Sequence, residues 1–82
     1  MLKLELDKVA DAAYARVSDE PVQTTREVDE QRVLDYEAQG DLAGIEFLGV
    51  SRGVSLRDLP YRYRDELAKY FGEHEIPRPC LN

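Results

Sequence analysis

The first fifty residues alternate between apolar and polar side chains with a period of two, which is the pattern of half-buried β-strands. The clearest case is the start of the chain, where Leu2, Leu4 and Leu6 alternate with charged residues. Because the connections are short, we expect an antiparallel β-meander of about five strands. The pattern predicts these strands over residues 2–7, 12–18, 22–28, 33–37 and 42–50.

The last two of these strands form the predicted central hairpin, in which Gly40 is free to take the positive φ that the turn needs. A loop centred on Gln39 and Gly40 places Tyr36 opposite Ala43, and it places Leu34 opposite Ile45. One face of the hairpin then carries Leu34, Tyr36, Ala43, Ile45 and Phe47. The other face carries Val33, Asp35, Glu37, Leu42, Gly44, Glu46, Leu48 and Val50. The aliphatic residues of this second face need cover, either from the chain's own helix or from another copy of the chain, and the candidate interface consists of Val33, Leu42, Leu48 and Val50.

The remainder of the chain predicts one helix. Ser55 begins a Ser-x-x-acid motif typical of helix starts, but Pro60 would clash inside a helix, so we expect a short helical turn over 56–59 and the main helix from about Pro60. Gly72 is the predicted terminator. The apolar stripe of this helix consists of Leu59, Tyr63, Leu67, Tyr70 and Phe71. The fold class is therefore α+β, with a single domain over 1–72 and an extended tail over 73–82.

Composition excludes several classes of protein. A hydrophobic content of 43% with 34% charged residues is typical of a folded domain, and no apolar run is long enough for a membrane span. The single cysteine, Cys80, excludes an internal disulfide. Since the start of the chain lacks the apolar core of a signal peptide, we expect a cytoplasmic protein that does not bind membranes.

The charge is unevenly distributed along the chain. The net charge is −6, and it arises from residues 1–50, which carry five Lys or Arg against twelve Asp or Glu; residues 51–82 carry six against five. An acidic sheet repels nucleic-acid phosphates and attracts basic proteins. We therefore expect no nucleic-acid partner, and a small basic protein is the candidate partner.

Three segments of the chain form a family-like pattern: Asp7-x-x-Ala10-Asp11-Ala12-x-Tyr14-x-Arg16-Val17-Ser18, Val33-Leu34-Asp35-Tyr36 and Gly40-x-x-x-Gly44-Ile45-Glu46-Phe47-Leu48. In their order and spacing they resemble the YuzE-like domain, a small prokaryotic domain of unknown function. Ala13 stands where leucine is usual in that family. The resemblance implies a fold but no catalytic role, and it suggests an antitoxin of a small ribonuclease-like toxin. The motif positions, whose role is unknown, are Asp11, Tyr14, Asp35, Gly44 and Glu46.

Candidate chemistry is sparse. Asp35 and Glu46 are predicted to lie diagonally on one face, where paired carboxylates could hold a divalent cation for phosphodiester hydrolysis. No lysine, histidine or phosphate-binding loop accompanies them, and carboxylates on a strand face are more often solvated or paired with arginine. His74 has no partner at ligand spacing, and Cys80 has no neighbouring base. We therefore expect no enzyme activity, no metal and no cofactor.

The sequence thus predicts a non-catalytic interaction module that self-associates and that binds a small basic partner. Two alternatives stay open. One is a stand-alone homo-oligomer with a structural or small-ligand role, and the other is the metal-assisted phosphodiesterase.

Overall fold

The computed structural model of the chain describes residues 2–77. It contains a five-stranded antiparallel sheet followed by one C-terminal α-helix, which confirms the α+β fold class. The elements in chain order are β1 (Lys3–Asp7), β2 (Ala12–Arg16), β3 (Val22–Glu27), β4 (Arg32–Glu37), β5 (Leu42–Leu48), a 3-10 helix (Val50–Arg52) and α1 (Tyr61–Glu73).

The order of the strands differs from a simple meander. It is β1-β2-β5-β4-β3, so β2 pairs with β5, and β3 lies at the far edge. Burial explains this order. β5 buries Ala43, Gly44, Ile45 and Phe47, whereas all six residues of β3 are exposed. A strand that buries little contributes least to the core, and the edge is where such a strand costs least.

The central hairpin keeps most of its predicted register. Leu34 lies opposite Ile45 as predicted, but the pairing shifts after Asp35, so that Tyr36 lies opposite Leu42 rather than Ala43. This irregularity is a β-bulge, which places one extra residue on β5. As a result, Leu42 turns toward the core and packs against it.

The core lies between one face of the sheet and α1. Phe47 of β5 meets Phe71 of α1 edge to face, with ring centroids 5.2 Å apart. Leu67 is fully buried beside them. The buried cluster comprises Ala13, Ala15, Ile45, Phe47, Val50, Val54, Leu56, Leu59, Leu67, Phe71 and Ile76. The predicted helical stripe supplies the apolar contacts that hold α1 on the sheet.

The segment between β5 and α1 differs from the prediction. β5 ends at Leu48, because Gly49 takes the left-handed conformation with φ 63° and starts the 3-10 helix. Where a short helical turn was expected before Pro60, the chain instead makes a turn in which Asp58 has φ 68°. Positive φ at a non-glycine residue interrupts helical geometry, so the expected helical turn over 56–59 does not form. The main helix, α1, starts at Tyr61 with Pro60 as its N-cap, close to the predicted start.

The end of α1 is also different. Gly72 is helical, and the left-handed residue is Glu75, with φ 58°. The N–H of Glu75 donates to the carbonyl of Gly72, and the N–H of Ile76 donates to the carbonyl of Phe71, which together form a Schellman motif. Ile76 is buried in the core, and Pro77 accepts a hydrogen bond from the N–H of Val54. Residues 73–77 therefore belong to the folded domain, and the rest of the predicted tail, 78–82, lies outside the described residues.

Candidate functional site

The face of the sheet opposite α1, which we call the outer face, carries most of the motif residues. Cross-strand pairing places two rows on it. One row runs Lys3, Arg16, Gly44, Asp35, Thr25, and the next row runs Glu5, Tyr14, Glu46, Val33, Glu27. Asp7, Ala12 and Leu48 continue the face beyond the second row.

A hydrogen-bonded cluster of Tyr14, Asp35 and Thr25 crosses the centre of this face. The Tyr14 hydroxyl donates to Oδ2 of Asp35 at 2.8 Å. The Thr25 hydroxyl donates to Oδ1 of the same carboxylate, also at 2.8 Å. Side chains from β2 and β3 thus converge on one carboxylate of β4, and both of its oxygens accept a hydrogen bond.

Gly44 makes this cluster possible. It lies on β5, directly between Arg16 of β2 and Asp35 of β4, and the Tyr14 side chain passes over it. A Cβ placed on Gly44 would fall 2.0 Å from the Tyr14 hydroxyl oxygen and 2.6 Å from the ring carbon that bears it. Any side chain at position 44 would therefore displace the tyrosine. A glycine inside a strand commonly marks such a close approach.

The electrostatics of the cluster hold Tyr14 in its protonated form. Partial burial, the hydrogen bond to Asp35 and the negative charge of Asp35, in that order, raise the pKa of Tyr14 to about 12. Each of these effects disfavours the phenolate. Tyr14 is thus a persistent hydrogen-bond donor at neutral pH, which suits a structural contact better than proton transfer.

Asp11 lies at the end of the β1–β2 turn with φ 55°. Its carboxylate accepts hydrogen bonds from the Ser51 N–H at 3.0 Å and from the Ser51 hydroxyl at 2.8 Å. The Asp11 carbonyl also accepts from the N–H of Val50. This motif residue therefore fastens the first hairpin to the 3-10 helix, which is the turn chemistry typical of Asp.

Glu46 is exposed on the outer face, opposite Tyr14 on one side and Val33 on the other. Asp35 and Glu46 are diagonal neighbours, as the sequence predicted. Asp35 is already occupied by Tyr14 and Thr25. Among residues 2–77, no group of three or more His, Cys, Asp or Glu side chains is placed to hold a metal ion.

The predicted interface residues separate into two pairs. Val33 and Leu48 lie half-buried on the outer face. Leu42 packs against the core, and Val50 is 3% exposed within it, so neither is available on that face. The strict alternation used in the prediction fails at these two positions, because the bulge reorients Leu42 and Gly49 ends the strand before Val50.

Sequence reasoning missed Arg32. Among residues 2–77, it is the charged residue that is buried, with 3% of its surface exposed. Its guanidinium donates to Asp29 Oδ2 at 2.9 and 3.0 Å and to the carbonyl of Arg57 at 2.6 Å. Burial by itself raises the pKa of Asp29, but hydrogen bonds from Arg32 and Gln31 outweigh it, so this pKa is lowered. Gln31 similarly donates to the carbonyls of Leu48, Gly49 and Gly53. Both side chains hold the segment between β5 and α1.

Two further candidates for chemistry, His74 and Cys80, come from the C-terminal part of the chain. His74 is exposed at the end of α1, where its ring lies 4.5 Å from that of Tyr70, between centroids. Cys80 falls outside the described residues.

A protein-family comparison accounts for this part of the chain. The model of the family described as "Protein of unknown function (DUF2283)" matches residues 3–51, which is more than half of the chain. The chain belongs to the DUF2283 family. The DUF2283 region contains all five strands, the Tyr14 cluster and the Asp11–Ser51 contact, whereas α1 lies beyond it. Comparisons with curated proteins and with solved structures gave no match.

Within residues 2–77, no helix combines the length and the apolar character needed to cross a bilayer.

Proposed function

We propose that this DUF2283 domain is a non-catalytic interaction module that binds a small basic protein through the outer face of its sheet. The observation that carries the proposal is the charge of this face. Glu5, Asp7, Glu27 and Glu46 are exposed on it, in addition to the carboxylate of Asp35. The cationic residues in the two rows of this face are Lys3 and Arg16.

The arrangement suits binding because α1 covers only the opposite face. An uncovered acidic surface attracts a positively charged partner over several ångströms and speeds its association at low salt. The half-buried side chains of Val33 and Leu48 lie among the acids and add apolar contact area. An apolar centre with a charged rim is typical of protein interfaces.

The absence of catalysis is part of the same proposal. Asp35 is engaged by two hydroxyl donors, and the raised pKa of Tyr14 makes this phenol a poor acid or base near neutral pH. The cluster keeps the outer face ordered. By resemblance to YuzE-like domains, the biological role we propose is that of a cytoplasmic antitoxin that neutralises a basic toxin in a prokaryote.

The second candidate is a stand-alone homo-oligomer without a macromolecular partner. The open and regular edge of β1 favours it, since an unpaired strand edge can add a further strand. The two candidates differ in what accompanies the protein in the cell.

The test is affinity capture of the tagged protein from its source lysate at low and moderate salt, followed by light scattering and identification of the captured components. We expect a stoichiometric small basic protein whose retention falls as salt rises. A variant that combines Glu27→Lys with Glu46→Lys should lose it. Glu66→Lys, an exposed reversal on α1, should retain it and serves as the matched control.

The other outcomes are equally informative. Capture that is equal for all three proteins would remove the outer face from the interaction. Co-purifying RNA would contradict the charge argument, and a clean homo-oligomer would favour the second candidate.

A further inference from the structure

The two edges of the sheet are built differently. β1 pairs with β2 over five consecutive residues without any irregularity, whereas β3 contains a bulge between Val22 and Thr24. Bulges and irregular twist protect a strand edge against pairing with another chain. β1 lacks this protection, and within residues 2–77 no strand pairs with its outer side.

The direction of the backbone groups of β1 follows from the neighbouring strands. The N–H of Val17 donates to the carbonyl of Ala43 at 2.8 Å, so Ala13 and Ala15 also direct their backbone groups toward β5. The other residues of β2, including Tyr14, direct their backbone groups toward β1 and form hydrogen bonds with the β1 residues opposite them. The N–H and C=O groups of the remaining β1 residues point to the open edge. These residues are Leu2, Leu4 and Leu6.

The side chains of this edge are divided by face. The three leucines lie on the core side, where they pack at the margin of the core but stay half-exposed. Lys3, Glu5 and Asp7 are exposed on the outer face. A strand that pairs with this edge would therefore need apolar residues on the core side. On the outer face it would need an acidic residue opposite Lys3 and a basic residue opposite Glu5.

We propose that β1 pairs antiparallel with β1 of a second copy of this chain, around a twofold axis at Leu4. In this register Leu4 meets Leu4 of the second copy, and Leu2 meets Leu6. Lys3 of each chain lies opposite Glu5 of the other. Leu2, Leu4 and Leu6, whose backbone N–H and C=O groups point to the open edge, then all lie in hydrogen-bonded pairs. This gives about six backbone hydrogen bonds across the dimer.

Neighbouring registers fit less well. Centring the axis on Glu5 would place Glu5 opposite its own copy, and centring it on Lys3 would do the same with two ammonium groups. Like charges that lie directly opposite each other destabilise a strand pair. Either shift would also lose one of the leucine pairs from the hydrogen-bonded set. The charge pairs and the backbone hydrogen bonds therefore both favour the register centred on Leu4.

The dimer joins two sheets into one continuous ten-stranded sheet, and its interface is isologous. It covers the exposed part of the leucine row, and it leaves Glu46 and Glu27 accessible on the outer face. The pairing is therefore independent of the proposed binding of a basic protein.

The experiment is a charge exchange read by sedimentation equilibrium and light scattering. We expect the wild-type chain of 9.4 kDa to sediment at about twice this mass. Lys3→Glu should place two carboxylates opposite each other, and Glu5→Lys should place two ammonium groups opposite each other. Each single variant should weaken the dimer by roughly tenfold or more in Kd, because both symmetric pairs change from attraction to repulsion.

Mixing the two single variants should restore a dimer, since Glu at position 3 of one chain then meets Lys at position 5 of the other at both pairs. The double variant carrying both exchanges should also dimerise alone. Glu27→Lys on the opposite edge is the matched control and should not change the mass. Both exchanged side chains are exposed, so circular dichroism should show native folding in every variant.

A monomeric wild type up to millimolar concentration would overturn the proposal. A dimer that persists with unchanged Kd in both single variants would also overturn it, because the interface would then lie elsewhere. Failure of the mixture to recover the dimer would reject the Leu4-centred register.

Discussion

The two faces of this sheet are held by different kinds of contact. On the core face, large apolar side chains such as Phe47, Phe71 and Leu67 fill the space between sheet and helix. On the outer face, Tyr14 lies over a residue without a side chain and donates a hydrogen bond to Asp35. The packing of the core face therefore depends on the volumes of its apolar side chains. The arrangement of the outer face depends instead on the absence of a side chain at Gly44 and on the hydrogen-bonded carboxylate of Asp35.

The largest expected effect concerns the core face. Phe71→Ala should lower the free energy of unfolding by about 3–5 kcal/mol, because it removes a fully buried ring and leaves a cavity beside Phe47. Urea denaturation followed by circular dichroism measures this change. Val9→Ala is the control, since Val9 is 99% exposed and its truncation should change stability by less than about 0.5 kcal/mol. A loss below about 1 kcal/mol for Phe71→Ala would mean that α1 does not pack as described.

An intermediate effect should separate the faces most sharply. Gly44→Ala adds one methyl group and should cost about 1–3 kcal/mol, because the new Cβ displaces the Tyr14 side chain and breaks its bond to Asp35. In a Tyr14→Ala background the same substitution should be nearly neutral or stabilising, since alanine suits a strand better than glycine. The measurement is a double-mutant cycle of unfolding free energies.

Gly72→Ala provides the matched control for that cycle. Position 72 is helical, and no neighbouring atom lies within 4 Å of the added Cβ, so this variant should gain about 0.5–1 kcal/mol. Equal costs of Gly44→Ala with and without the tyrosine ring would show that the two positions are not coupled.

The smallest expected effect depends on pH. Tyr14→Phe should cost about 0.5–1.5 kcal/mol at pH 7, where it removes the hydrogen bond to Asp35. The folded-state pKa of Tyr14, about 12, lies above the value of 10.0 for an unperturbed tyrosine. The stabilisation by Tyr14 is therefore complete below pH 10 and is lost as the pH rises toward 12.

The difference between wild type and Tyr14→Phe should consequently shrink from pH 10 upward. Urea midpoints of both proteins at pH 7, 9, 10 and 11 measure it, and the other tyrosines cancel in the comparison. A difference that stays constant over this range would indicate that the phenol proton does not stabilise the fold.

Much of the core face could be predicted from the sequence, because alternation is a local signal. It placed Ile45 and Phe47 on one face and identified the helical stripe around Leu67. It failed at Leu42 and Val50, where a bulge and the left-handed Gly49 interrupt the period of two. Such interruptions depend on tertiary contacts that a single strand does not encode.

The outer face was harder to predict, because its central contact depends on the order of the strands. Tyr14 and Asp35 meet only if β5 lies between β2 and β4, and a meander would not bring them together. One signal was present: a lone glycine inside an apolar strand indicates close approach of another group. Arg32 gave no such signal, since the carbonyl of Arg57 that it binds is positioned only by the finished fold.

The strand order also divides the domain into two local assemblies. β1 with β2 forms one hairpin, and β3, β4 and β5 form a separate local meander. The single sheet appears only when β2 docks on β5, a pairing of strands that the whole of β3 and β4 separates along the chain. Pairing of strands that are so far apart along the chain is slow compared with the formation of a hairpin. During synthesis, the side of β2 that pairs with β5 therefore stays uncovered until residue 48 has emerged from the ribosome.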